Sequence, residues 1–361
     1  MEQNESTVDL INLILQPAFT VKNGVVEKVN EAARKYMLEE GNCICEMLLT
    51  GTTEYSELKE GCLYLMLSIA GLRCGASVRR MKEFDLFVLE QESDETELQA
   101  MALAAQELRA PLSNVMTVAD QLFPVADDDD NPVVQEQIAR INRGLFQMLR
   151  IVSNMSDAYR YSQQIESRQA IVEMSSFLQE IFEKLMPMLA KANIELIFEN
   201  LNSHLHTLAD AEKLERAIHN IISNAVKFSG KGGKIYVRAT YRKQMLYLTV
   251  CDSGEGMKSE VQGSVHARFR RKPGLEDNRF GIGLGMVLIR SAAAVHGGTV
   301  LIDHPEGYGT RLTLSIAIRQ NTDSVVRSRT LRVDYAGERD HPLLELSDVL
   351  PAELYRTDRI N

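Results

Sequence analysis

The sequence predicts a multidomain α+β protein, and three changes in its hydrophobic pattern mark the domain boundaries. Short alternating strands and turns fill residues 1–96, a 3-4 helical repeat fills 97–165, and alternating strands and helices fill 166–320. Residues 321–361 form a tail that is apolar enough to dock on a domain but too short to be one. A chain of 361 residues is long enough for two or three domains.

Composition narrows the class of protein. With 45% hydrophobic and 25% charged residues the chain can bury a core, and a net charge of −10 argues against a nucleic-acid partner. The longest apolar run, residues 63–72, is shorter than the roughly 20 residues that span a bilayer, and the acidic N-terminus lacks a signal peptide's basic start. Five scattered cysteines suit free thiols in a reducing compartment, although the four in the first quarter leave a redox or metal role open. We therefore expect a cytoplasmic protein with no membrane span.

The first region has the pattern of a small α/β module. Asn23 and Gly24 lie between two short apolar runs, residues 19–21 and 25–29, and predict a type I′ hairpin because both residues tolerate positive φ. A helix start follows, and residues 63–71 and 83–91 are later strands. The segment VKNGVVEKVNEAARKYM resembles the opening of a PAS sensor domain, with Asn30 at that family's recurrent asparagine.

Two long amphipathic helices are predicted next, one on each side of the helix-breaking segment FPVADDDDNP. The first apolar seam comprises Leu98, Met101, Ala105, Leu108, Leu112, Val115, Ala119 and Leu122. The second comprises Val134, Ile138, Ile141, Leu145, Met148, Val152, Met155 and Tyr159. The acidic run at 127–130 is a solvated loop in the simplest interpretation, with a metal site as the alternative.

One antiparallel hairpin cannot cover both apolar seams. We therefore expect a parallel homodimer through residues 97–163, in which two hairpins form a four-helix bundle. Charges placed together at Leu112 and Leu145 are expected to dissociate it.

The third region alternates strands and helices and predicts an α/β sandwich. Its candidate strands are residues 170–173, 194–199, 235–241, 246–252, 299–303 and 311–317. Its candidate helices are residues 175–192, 211–227 and 283–296.

Three short motifs in this region carry groups that suit a nucleotide. Asn220, Asn224 and Lys227 follow one another at i, i+4 and i+7 and share a helix face, where they can hold a hydrated Mg²⁺ and a triphosphate. Asp252 ends a strand and can accept the exocyclic amine of adenine, and Gly254 and Gly256 let the backbone approach a flat base. Taken alone, the asparagine and lysine motif is better explained as the polar outer face of a helix. The motif from Asp252 to Gly256, taken alone, also fits an ordinary turn.

The third motif consists of glycines at a helix start. Gly281, Gly283 and Gly285 leave backbone N–H groups free to bind phosphate. Taken alone this is weak evidence, and no strand directly precedes the glycines, so a dinucleotide-binding βαβ unit does not fit.

The motifs occur together in one order, with a basic loop before the third and a closing GYGT at 307–310. That order resembles the ATP-binding domain of sensor histidine kinases, within the superfamily shared with gyrase, Hsp90 and MutL. The resemblance implies that ATP and Mg²⁺ are bound, with Asn220 and Asn224 at the metal and phosphates, Lys227 at a phosphate and Asp252 at adenine. It further implies roles for the residues around the lid and the closing motif, namely Gly281, Gly283, Leu284, Gly285 and Thr310.

Two further features characterise the resemblance. Phe269 and Arg271 match the family's aromatic-basic box, although His266 stands where that box usually begins with phenylalanine. In the superfamily's hydrolases a glutamate precedes the second asparagine by four residues, whereas this chain has Asn220 there. That difference favours a kinase-type pocket over a water-activating one.

The segment QELRAPLSNV resembles the histidine kinase motif that carries the phosphoacceptor. The residues in register are Glu107, Arg109, Pro111 and Leu112. Gln106 occupies the acceptor position, and Ala110 replaces the Thr or Asn that orients water. A carboxamide nitrogen is not a nucleophile for a phosphoryl group. Glu107, the candidate general base, therefore has no nucleophile beside it to deprotonate. The plainer interpretation of Gln106 is an exposed helix residue.

We therefore expect a sensor histidine kinase homologue that binds ATP and Mg²⁺ and does not autophosphorylate at the usual site. The first alternative is an active kinase that phosphorylates a histidine on a partner chain. The second is a nucleotide-gated signalling scaffold without phosphotransfer. Candidate partners are a response regulator or a partner histidine kinase.

Overall fold

The computed structural model describes residues 11–90, 92–127, 132–162, 169–230, 232–254, 284–305, 307–319 and 340–356. The N-terminal module consists of β1 (Ala18–Lys22), β2 (Val25–Val29), α1 (Glu31–Arg34), α2 (Ile44–Met47), α3 (Thr52–Glu57), β3 (Cys62–Ile69), β4 (Leu72–Arg80) and β5 (Asp85–Leu89). Asn23 and Gly24 have φ of 53° and 80°, so both adopt the left-handed backbone that the hairpin requires.

Asn30 is buried and joins three segments of this module. Its Nδ2 donates to the carbonyl oxygens of Ile14 (2.9 Å) and Gln16 (2.8 Å), and its Oδ1 accepts from the N–H groups of Ala18 (3.0 Å) and Ala33 (2.9 Å). The side chain therefore caps α1 while fixing the entry into β1, which is a structural role.

The two predicted long helices are α4 (Glu92–Asp127) and α5 (Pro132–Ser162), and they pack against each other. Each predicted seam is divided between two environments. Leu112 and Leu145 are buried in the core, whereas Leu108, Val115 and Ile141 are exposed. Charges at Leu112 and Leu145 would therefore disrupt the hairpin itself, and the exposed members are the better test of a dimer.

The third region consists of β6 (Ala170–Glu173), α6 (Met174–Lys191), β7 (Glu195–Glu199), β8 (His206–Ala209), α7 (Ala211–Ser229), β9 (Lys234–Arg242), β10 (Met245–Asp252), α8 (Leu284–Val295), β11 (Val300–Asp303) and β12 (Arg311–Ala317). Apolar side chains of α6 and α7 belong to one core with those of β10 and β12. The mixed α/β architecture agrees with the prediction.

The main sheet continues from this region into the N-terminal module. Its strand order is β2-β1-β5-β4-β3-β11-β12-β10-β9-β7, and the junction is an antiparallel pairing of β3 with β11. Cys62, Leu63 and Tyr64 lie opposite Ile302, Leu301 and Val300. The sequence predicted separate domains, whereas the structure joins two of them through one sheet.

The chain ends in α9 (His341–Glu345) and a 3₁₀ turn (Ala352–Tyr355), which pack against α5 and α7. Among the helices that the structure describes, none is both long and apolar enough to cross a membrane.

Candidate nucleotide site

Helix α7 positions the amide and ammonium groups of the first motif. Asp210 caps its N-terminus by accepting from the N–H of Lys213 (3.2 Å), and an apolar stripe including Ile218 and Ile221 fixes the helix on the core. The stripe leaves Asn220 on a different face, yet Asn220 is buried and Lys227 is half-buried. The polar face therefore lies against other parts of the protein instead of bulk solvent.

Asp252 ends β10 and is buried, with 3% of its surface exposed. Its Oδ1 accepts from the N–H groups of Gly254 (3.0 Å) and Thr310 (3.1 Å). Burial raises the pKa of this carboxyl, while the same two N–H groups act to lower it. Both of these hydrogen bonds use Oδ1 and hold the carboxylate in one orientation, so Oδ2 can accept from a ligand.

Three glycines allow the motifs to approach one another. A Cβ on Gly254 would overlap the carbonyl oxygen of Phe228, and a Cβ on Gly285 would lie 2.8 Å from Oδ1 of Asn220. A Cβ on Gly309 would overlap Oδ1 of Asp252. The strand-end turn, the start of α8 and the closing motif therefore converge on the C-terminal half of α7, and side chains at these glycines would fill the space between them.

Arginines add positive charge to this face, and the motifs did not predict them. Arg150 of α5 donates to Oδ1 of Asn220 (3.4 Å) and to the hydroxyl of Ser223 (3.2 Å). Arg216, one turn before Asn220, donates to Asp157 and to Oδ1 of Asn154 (2.8 Å). The only sequence signal for Arg216 was its place four residues before Asn220, on the same side of the helix.

Two carboxylates of the C-terminal segment lie on the same face. Asp348 accepts from Lys227 and Arg150, and Glu345 accepts from Arg216. Burial lowers the pKa of the Lys227 ammonium, and Asp348 partly offsets that effect. Burial acts to raise the pKa of the Asp348 carboxyl, but Arg150 and Lys227 outweigh it, so that the pKa is lowered.

The remaining predicted site residues fall into three groups. Gln106 and Glu107 are exposed on α4. Leu284 starts α8 and packs against Leu98 and Ala158 of the hairpin, and Asn224 is half-buried on α7. The others lie outside the described residues, namely Gly256, His266, Phe269, Arg271, Gly281 and Gly283.

The donor set fits a magnesium nucleotide. Amide oxygens of Asn220 and Asn224 are suitable ligands for Mg²⁺ or for its water shell, and Lys227 supplies a cation for phosphate oxygens. The fixed carboxylate of Asp252, with the glycine backbone around it, suits a planar base that carries an amine.

Comparison with known proteins agrees with this geometry. Residues 209–320 match the family described as Histidine kinase-, DNA gyrase B-, and HSP90-like ATPase. The adaptive-response sensory kinase SasA of Crocosphaera subtropica is 28% identical over 221 residues, which is 59% of this chain and 57% of that protein. The sensor histidine kinase WalK of Bacillus subtilis is 27% identical over 246 residues, which is 65% of this chain and 39% of that protein.

A solved structure supports the fold over a similar share of the chain. The crystal structure of full-length ShkA in complex with AMPPNP matches with a TM-score of 0.50 and 21% identity, covering 62% of this chain and 47% of that one. The chain spans only part of the length of these relatives. It is a mixed α/β protein in which residues 209–320 match an ATPase domain shared by histidine kinases, DNA gyrase B and HSP90.

Proposed function

We propose that this chain binds ATP with Mg²⁺ and works as a sensor-histidine-kinase-type signalling protein of a two-component system. The observation that carries the proposal is the convergence of Asp252, the close-approach glycines and the amide face of α7 at one place. The bound AMPPNP in the ShkA structure and the histidine kinase relatives support the same ligand class.

Each group has a role that follows from its chemistry. ATP supplies the transferable phosphoryl group when it is bound. Oδ2 of Asp252 accepts the adenine amine, Asn220 and Asn224 hold Mg²⁺ and phosphate oxygens, and Lys227 neutralises phosphate charge. Backbone N–H groups in the first turn of α8 would bind a phosphate with the help of the helix dipole.

The proposed chemistry of the helical hairpin is unusual because Gln106 stands at the acceptor position. Gln106 and Glu107 are both exposed on α4, so a nucleophile at position 106 would be accessible. A carboxamide is not such a nucleophile. We infer that this chain does not autophosphorylate at this position and that it signals through nucleotide-dependent contacts or by phosphorylating a partner chain.

The N-terminal module is proposed to be a sensor, and the two long helices are proposed to form a homodimer. The N-terminal module, with the capping role of Asn30, supports a PAS-like sensor. The exposed apolar residues of α4 and α5 support a homodimer, which is the arrangement that brings two hairpins into a four-helix bundle. A response regulator or a partner kinase is the expected binding partner.

Calorimetric titration with ATP and Mg²⁺ tests the site. Asp252→Ala removes a buried acceptor and is expected to weaken binding by about 1–3 kcal/mol. Asp303→Ala is the matched control, since this aspartate also ends a strand but pairs with Arg311 instead. Equal affinity in the Asp252→Ala variant and the wild type would contradict the site assignment.

A further inference from the structure

The C-terminal segment, residues 340–356, fills the space between α5 and α7. Asp340 caps α9 by accepting from the N–H of Leu343 (2.9 Å). The segment buries Tyr355 and five leucines in the main core. These leucines are Leu343, Leu344, Leu346, Leu350 and Leu354. The segment is therefore docked by apolar burial and not by surface contacts alone.

Helix α5 also holds the backbone of this segment. Asn142 Nδ2 donates to the carbonyl oxygen of Tyr355 (3.1 Å), and Gln147 Nε2 donates to that of Ser347 (3.1 Å). Arg143 donates from Nε to the Ser347 carbonyl (2.9 Å) and from NH2 to the Asp348 carbonyl (3.0 Å). These bonds fix where the side chains of residues 345 and 348 point.

Both carboxylates point at the proposed phosphate-binding groups. One oxygen of Asp348, Oδ2, accepts from Lys227 Nζ (2.9 Å) and from Arg150 NH1 (2.6 Å). Glu345 is fully buried and accepts from Arg216 Nε (3.1 Å), with Nδ2 of Asn220 at 3.5 Å from its other oxygen. Carboxylate oxygens thus contact Asn220 and Lys227, which the proposed function assigns to Mg²⁺ and phosphate.

The charge balance of this cluster depends on the segment. Arg150, Arg216 and Lys227 face Asp157, Glu345 and Asp348, and Asp157 also pairs with the exposed Arg160. The carboxylates of Glu345 and Asp348 therefore neutralise much of the buried positive charge while the segment is docked. Without Glu345 and Asp348 the cluster has a net positive charge, which complements a triphosphate and is costly to leave buried. The docked segment and a nucleotide therefore satisfy the same cations.

We propose that the C-terminal segment is an intramolecular inhibitor whose carboxylates compete with the phosphates of the nucleotide for Lys227, Asn220 and Arg150. Arg150 is then also a phosphate contact that the helical hairpin contributes to the nucleotide site. Competition is reciprocal, so nucleotide binding releases the segment and a docked segment weakens nucleotide binding. Because the segment contacts both α5 and α7, its release also removes a link between the hairpin and the ATPase domain.

This inference rests on the proposed nucleotide site, and variants of the 361-residue chain separate the two. Asp348→Asn removes the carboxylate shared by Lys227 and Arg150. Leu354→Ala weakens docking without changing charge. Glu353→Gln is the control, because Glu353 is exposed on the same segment and its removal changes net charge by the same amount as Asp348→Asn.

Binding of ATP with Mg²⁺ is measured by calorimetry in all four proteins. If the docked state is about 90% populated, both Asp348→Asn and Leu354→Ala raise the affinity by roughly tenfold, and Glu353→Gln leaves it unchanged. Adding Asp252→Ala to Asp348→Asn is expected to remove the gain. In the wild type, ATP with Mg²⁺ should increase hydrogen exchange over residues 341–355, whereas Mg²⁺ alone should not.

The other outcomes overturn the inference in distinguishable ways. Measurable and equal affinity in all four proteins refutes the competition and leaves the nucleotide site in place. Tighter binding in Asp348→Asn but not in Leu354→Ala means local charge repulsion without displacement of the segment. The absence of nucleotide binding in every protein, including Asp348→Asn, refutes the proposed function and the inference with it.

Discussion

At the scale of single residues, Arg150 connects three parts of the molecule. It lies on α5 and donates to Asp348 of the C-terminal segment and to Asn220 and Ser223 of α7. A guanidinium has five N–H donors in a fixed plane, so one side chain can serve all of these acceptors at once. Lysine, a single point charge, cannot replace it here.

The acceptor position offers a direct test at this scale. Gln106→His introduces an imidazole next to Glu107, which can accept its proton as general base. Because residue 106 is exposed, the substitution leaves the packing of α4 unchanged. Incubation with γ-labelled ATP is expected to give acid-labile, base-stable phosphate on the hairpin of this variant and none on the wild type.

Two results would change that interpretation. Label on the hairpin of the wild type would contradict an inactive acceptor position. An unlabelled Gln106→His variant that still binds ATP would place a second defect elsewhere, with Ala110 and His266 as the next residues to replace. Gln106→Asn serves as the matched control, since it changes the side chain without adding a nucleophile.

The sequence pointed to part of the candidate nucleotide site. It singled out Asp252, Asn220 and Lys227 because each belongs to a short motif with a defined local spacing, and their role in binding stays a prediction. The partners Glu345 and Asp348 were missed, because their contacts depend on how the C-terminal segment docks over α5 and α7. No local pattern encodes such a long-range pairing.

At the scale of elements, α4 and α5 each retain an exposed apolar stripe. Leu108, Val115 and Leu122 recur every seven residues on α4, and Ile141 and Met148 do so on α5. The seam residues between these exposed ones are buried, for example Leu112 on α4 and Leu145 on α5. A second hairpin is the partner that the spacing fits.

Charges on these stripes test the dimer. Leu108→Lys together with Met148→Lys places like charges in the expected bundle core and should give a monomer that stays helical. Leu103→Lys is the control, because Leu103 is equally exposed but lies about 140° around the helix from Leu108. Sedimentation of all three proteins at micromolar concentration measures the outcome, and a monomeric wild type would contradict the bundle.

Most of the longer elements were predicted within one or two residues, but the short helices α2, α3 and α9 and the strands β4 and β8 were not. The β4 sequence, LRCGASVRR, has three arginines, a glycine and no regular alternation. It is a strand because eight of its nine residues pair with β3. β8 has only four residues and pairs with β6. Tertiary pairing, and not strand propensity, determines both.

At the scale of the whole molecule, the N-terminal module and the ATPase domain share one sheet. Beyond the β3–β11 pairing, Tyr247 donates to Glu54 (3.0 Å) and Lys243 donates to Glu57 (3.1 Å). Arg290 of α8 lies 3.5 Å from Glu90, an ion pair that connects α8 with the end of β5. The N-terminal module therefore contacts the ATPase domain at several places, one of which is α8 beside the candidate nucleotide site.

This junction provides the last prediction. Gly61 precedes β3 with φ of +97°, and a Cβ there would overlap the carbonyl oxygen of Ile302 and lie 2.8 Å from Cβ of Asp303. Gly61→Ala should therefore separate β3 from β11 in addition to straining its own backbone. Gly71→Ala is the matched control, since Gly71 has φ of +82° and open space around it.

Scanning calorimetry distinguishes the two variants. A continuous sheet makes the two modules unfold together, so the wild type should show one cooperative transition. Gly71→Ala should keep one transition at a lower temperature, because backbone strain of about 1–2 kcal/mol reduces stability without touching the junction. Gly61→Ala should divide the profile into two transitions, one for each module. A single transition in Gly61→Ala, shifted no further than that of Gly71→Ala, would mean that the shared sheet does not couple the N-terminal module to the ATPase domain.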